Sequence, residues 1–132
     1  MQMTRLAAAA LATLVGSTPV AAAGLSPEQI KPILEMTSDS WVAFRDWQGN
    51  QLIYFTHLES WTCGLNAVTY GVNGEPVDQV WPLQPCDPDA PNAITKDKPY
   101  LTFPAGSIAT IAVQLTYKDG SRSAVTNFTY KP

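Results

Sequence analysis

Asn73-Gly74 sits midway between two runs of alternating residues, 65–72 and 75–83, and the chain's two cysteines, Cys63 and Cys86, lie just outside those runs. Asn-Gly is the strongest short hairpin signal, because both central positions of a two-residue turn need a positive φ. Such a loop pairs Val72 with Glu75. Counting outward sets position 63 against position 84, with Cys86 two residues further along on the same side of the ribbon. A diagonal pair in a flat ladder is slightly too far apart for a disulfide. Pro82 and Pro85 are therefore expected to bend the strand end and close the gap. Pro76 and Pro82 cannot donate to a ladder, so this second run reads as an edge strand.

A disulfide needs an oxidising compartment, and the N-terminus is consistent with one. Met1 to Arg5 carries one positive charge, residues 6–15 are apolar apart from Thr13, and Ala21-Ala22-Ala23 follows a Gly16-Ser17-Thr18-Pro19 break. That is the layout of a secretory signal peptide with a small-residue cleavage site. Ten helical residues rise about 15 Å, half of a bilayer core, so the segment is too short for an anchor. Cleavage after Ala23 leaves 109 residues, enough for one domain with one core. Without Arg5 the mature chain has seven basic and eleven acidic residues, a net charge of −4. It has no Lys/Arg cluster, which argues against nucleic acid and anionic membrane surfaces. No later segment is long and apolar enough to span a membrane.

Residues 25–36 read as a short helix. Ser26 is the N-cap, Pro27 takes the first helical position and Gln29 completes a capping box. Pro32 is expected to kink or end it. Residues 24–40 thus form a short helix and linker, and from Trp41 the period changes to two. Strands are expected at 41–46 and 51–58, separated by Gln48-Gly49-Asn50; the second is apolar on both faces and therefore central. After the 65–83 hairpin comes a Pro- and Asp-rich loop at 85–99. Strands at 100–103, 107–117 and 121–130 follow, the last two joined by Lys118-Asp119-Gly120. About seven strands with frequent turns imply an all-β domain over 41–132, an antiparallel immunoglobulin/fibronectin-like sandwich preceded by the short helix. A small barrel is the alternative.

Two stretches carry a resemblance. Trp41-Val42-Ala43-Phe44-Arg45, Gln51-Leu52-Ile53-Tyr54-Phe55-Thr56 and Cys63-Gly64-Leu65 are similar to segments of small exported bacterial proteins that carry no assigned function. That resemblance implies nothing about activity. The segment 107–123, with Tyr117 before Asp119-Gly120, resembles the last hairpin of fibronectin-like domains, which serve in many binding and accessory modules.

Catalytic signals are thin. His57, the only histidine, sits two residues from Glu59, on the same face if the segment is a strand. Cys63 is no nucleophile once oxidised. There is no Gly-rich phosphate loop, no G-x-S-x-G and no H-E-x-x-H. Asp87, Asp89, Asn92 and Asp97 offer oxygen ligands that calcium accepts, but not at EF-hand spacing, and they read as a solvated loop. No catalytic residue, metal ligand or cofactor is assigned. Of the four tryptophans, Trp41 and Trp81 read as core, whereas Trp47 and Trp61 fall at or near turns, where an indole can stack on a sugar or anchor a partner. The expectation is a non-catalytic periplasmic or secreted module. It binds another envelope protein, with the edge strand at 75–83 open to strand addition. The alternative is a carbohydrate or small-ligand binder using Trp47, Trp61 and nearby tyrosines.

Overall fold

A computed structural model describes residues 24–132; the signal-peptide reading of residues 1–23 lies outside them. The first described element is a helix, α1 (Pro27–Met36). Its N-terminus is closed as the sequence implies. Ser26 N donates to Gln29 Oε1 at 2.9 Å, and Gln29 N donates to Ser26 Oγ at 3.3 Å. Pro32 does not end the helix. The ring removes one hydrogen bond, the one Glu28 C=O would accept. Glu28 is exposed in the first turn, where water can supply the missing donor. Nor is α1 a linker. Ile30 and Leu34 are buried in the same core as the strands, and Trp41 Nε1 donates to Leu34 C=O at 2.9 Å.

Seven strands follow: β1 (Ala43–Trp47), β2 (Asn50–Tyr54), β3 (Leu65–Val72), β4 (Gln79–Trp81), β5 (Tyr100–Pro104), β6 (Thr110–Tyr117) and β7 (Thr126–Thr129). They form two antiparallel sheets, in the orders β1-β2-β5 and β4-β3-β6-β7. The inward faces meet in one core, with Ile53 and Phe55 on one side and Val68, Ile111, Val113 and Leu115 on the other. Gln51, itself buried, ties the layers together: its Nε2 donates to Ile108 C=O at 3.1 Å and its Oε1 accepts from Ile108 N at 2.7 Å. Gln48 (φ 50°) and Gly49 (φ 80°) make the tight β1–β2 turn.

Two expectations are corrected. The strand expected over 51–58 stops at Tyr54, and a short helix, α2 (Thr56–Ser60), takes the rest. In a strand, Leu58 and Glu59 would point to opposite faces; in the helix both are fully buried. The second correction concerns the 65–83 hairpin. Asn73 (φ 53°) and Gly74 (φ 81°) form the expected turn, closed by Glu75 N donating to Val72 C=O at 3.0 Å. Pairing then lapses and resumes with Tyr70 opposite Gln79 and Val68 opposite Trp81. The return strand is thus two residues late. On that count position 63 faces Cys86 directly. The two cysteines are disulfide-bonded with Cα atoms 4.7 Å apart, so the two-residue delay after the turn supplies the register that the prolines at 82 and 85 were expected to supply by bending.

Candidate functional site

The sequence pairs His57 with Glu59; the structure separates them. Two residues apart on a helix point to opposite sides. His57 turns toward the C-terminal end of α1, with Nε2 2.9 Å from Thr37 Oγ1. The Thr37 hydroxyl donates to Ile33 C=O at 2.7 Å. Its oxygen is then the acceptor for the imidazole, which places a proton on Nε2. Burial pushes the His57 pKa below its ordinary 6.5, because desolvation penalises the cation.

Glu59 points inward and is fully buried. Its Oε2 takes a hydrogen bond from Trp81 Nε1 at 3.3 Å and an ion pair from Lys96 at 2.8 Å, and its Oε1 accepts from Gln84 N at 3.0 Å. Lys96 also lies over the Trp81 ring, 4.0 Å from its centroid, and donates to Pro82 C=O. Gln84 extends the knot, donating to Ala93 C=O at 2.6 Å and accepting from Thr95 N at 3.0 Å. Every acceptor of this carboxylate has a donor, and the network fastens the strandless segment 82–99 to α2. This clamp lies two residues from Cys86 of the disulfide.

Two side chains of the Asp-rich loop are engaged by backbone groups, one within the loop and one in α2. Asp87 Oδ1 accepts from Asp89 N at 2.9 Å, and Asn92 Nδ2 donates to Ser60 C=O at 2.6 Å. Among the described residues no three His, Cys, Asp or Glu side chains group as metal ligands.

The two tryptophans singled out as ligand residues do not meet. Trp47 ends β1 beside the Gln48-Gly49 turn, whereas Trp61 follows α2, at the far end of β2. Trp61 is half-buried and packs on the core. Trp47 is 46% exposed, and the Arg45 guanidinium lies over its ring, 4.3 Å from the centroid.

An open cleft of about 430 Å³ lies between the free edges of the two sheets. Val42 and Phe44 of the β1 side face Phe128 and its neighbours Asn127 and Thr129 on β7, with Asp39 and Lys131 at the rim. β1 and β7 are both terminal strands of their sheets. Tyr130 bridges them at one end. Its ring sits 4.8 Å from that of Phe44, and its hydroxyl donates to Asp46 Oδ1 at 2.6 Å. Desolvation and the Asp46 carboxylate push the Tyr130 phenol up to about 12, so the bridge holds across the physiological range. The alternation of Phe44, Phe128 and Tyr130 is visible in the sequence. That these residues share one edge of the molecule is not, because strand order decides it.

No protein family, curated protein or solved structure matches the chain.

Proposed function

We propose that this chain is a non-catalytic accessory module, exported to the periplasm or secreted, that binds another protein of its compartment through the cleft between β1 and β7. The supporting observation is the cleft itself: an aromatic floor between two strand edges whose peptide groups have no neighbouring strand. An extended peptide can pair with such an edge and seat alternate side chains on the floor. β4, the edge singled out from sequence, suits this less well. It has three residues, flanked by Pro76 and Pro82, and a short proline-guarded edge resists pairing.

Export rests on the N-terminal pattern together with the disulfide; among the described residues no helix is long and apolar enough to cross a membrane. The sandwich is of the immunoglobulin/fibronectin-like class. In support, strands one, two and five lie in one sheet and strands four, three, six and seven in the other, the three-plus-four division of a fibronectin type III domain.

The test is crosslinking in intact cells with a tagged full-length chain, followed by mass spectrometry. One dominant envelope protein should be captured. Asn127→Arg combined with Thr129→Arg, both at exposed positions on the cleft wall, should abolish its capture. No reproducible partner, or a partner indifferent to both substitutions, contradicts the proposal.

A further inference from the structure

The outer face of the β1-β2-β5 sheet carries a second feature, independent of the cleft. Its outward positions fall in three cross-strand rungs: Ala43, Tyr54 and Tyr100; Arg45, Leu52 and Thr102; Trp47, Asn50 and Pro104. The intervening positions, Phe44, Ile53 and Leu101 among them, face the core. Leu52 is 5% exposed yet stands outside that core. Its own face therefore covers it, with Arg45 stacked on Trp47 to one side and the Tyr54–Tyr100 pair, 4.9 Å between centroids, to the other. A solvent-facing sheet surface with aromatic groups at both ends and a buried leucine between them is unlike an ordinary polar outer face.

Its dimensions narrow the occupant. Three strands about 4.8 Å apart are about 10 Å across, and the strand from Asn50 to Tyr54 spans about 13 Å. That is on the order of 150 Å², against the roughly 800 Å² per partner that a stable protein interface buries. Arg45, Thr102 and Pro104 stand exposed on this outer face, so it has no walls to enclose a compact small molecule. A flat, extended ligand with apolar ring faces and polar edges fits. Aromatic faces accept the weakly positive C–H groups of a pyranose ring. Between the aromatic ends, the Arg45 guanidinium, the Thr102 hydroxyl and the Asn50 amide supply donors for sugar hydroxyls. Arg45 forms no ion pair among the described residues. We infer that the outer face of the three-stranded sheet is a platform for an extended β-linked oligosaccharide, with Trp47 at one end and Tyr54–Tyr100 at the other.

The platform is tested by isothermal titration of the processed full chain with hexasaccharides of β-1,4-linked glucose and of β-1,4-linked N-acetylglucosamine. At least one should bind. Trp47→Ala, which alters an exposed side chain, and Tyr100→Ala should each weaken binding tenfold or more, with near-ultraviolet circular dichroism checking that the fold persists. Trp61→Phe, at the opposite end, should leave affinity unchanged, as should Asn127→Arg in the cleft. Failure of both hexasaccharides to bind the unaltered chain overturns the inference. So does binding that survives Trp47→Ala or is lost in Trp61→Phe.

Discussion

Gly71 sits beneath the point where the chain leaves the Asn73-Gly74 turn, and a Cβ there would overlap the carbonyl oxygens of Glu75 and Pro76. Backbone cannot yield as a flexible side chain can. Gly71→Ala should therefore cost about 1–3 kcal/mol, the usual penalty for forcing atoms into packed space, read as a lower urea midpoint at unchanged slope. An unaltered midpoint would mean that the two-residue delay after the turn is not held there. A second residue-scale prediction concerns Lys96, whose side chain is 22% exposed while its partner Glu59 is fully buried. Removing one member of a buried pair leaves the other charge uncompensated. Lys96→Met should destabilise by about 3 kcal/mol, the lower end for buried pairs because Lys96 keeps some contact with water. Double substitution with Glu59→Gln should recover part of that loss in the same denaturation assay. Neither Gly71 nor Lys96 announces itself in the sequence. One depends on how the chain leaves the turn that follows it, and the other on a carboxylate 37 positions away.

At the scale of elements, the strands were legible wherever one face is buried and the other wet. β6 shows it best: Ile111, Val113, Leu115 and Tyr117 alternate with half-buried neighbours as the pattern implies. Helix α2 was not legible. Thr-His-Leu-Glu-Ser continues the alternation of β2, and although Thr56 and Glu59 have the spacing of a helix start, five residues carry too little helix propensity to override that pattern. What favours the helix is the partner set that Glu59 finds at Trp81, Gln84 and Lys96, all remote in sequence. The same turn brings His57 to Thr37, joining α2 to the end of α1. Because burial lowers the folded-state pKa of His57, the unfolded chain binds the proton more readily below 6.5. Stability from this group is thus complete above about pH 6.5 and is lost as pH falls toward the folded value. The urea midpoint should drop between pH 7 and 5.5. In His57→Gln, where an amide can still donate to Thr37, that drop should shrink. An identical drop in both proteins would assign the pH dependence to other groups.

Across the whole molecule, the sequence carried the two-sheet β architecture and one of its edges, β4, marked by its prolines, but not the edges that form the cleft. Alternation and turn signals count the strands. They leave open that β1 and β7 also end their sheets, and both the β1–β7 cleft and the position of Trp47 at the opposite end from Trp61 follow from that order. The disulfide was legible as a pair, yet its register came from the delay in β4. Its mechanical role depends on the connection from β4 to β5, a long segment without strand or helix. That segment is tied to the rest of the fold by the Cys63–Cys86 bond, by the Gln84 N–Glu59 and Asn92–Ser60 hydrogen bonds and by the Lys96–Glu59 pair, and the Gln84 side chain braces it internally against Ala93. A crosslink across 23 positions should stabilise the fold by roughly 3 kcal/mol in the chain-entropy account. For a domain near 100 residues each kcal/mol moves the melting temperature by about 4–8 °C, so reduction should lower Tm by well over 10 °C. Because Glu59, Gln84 and Lys96 remain in place, the reduced chain should still fold, with hydrogen exchange rising first in 82–99 and last in β2, β3 and β6. A Cys63→Ser/Cys86→Ser variant that unfolds uniformly would show that the buried polar knot cannot hold the crossover without the bond. An unchanged Tm would show that the knot alone suffices.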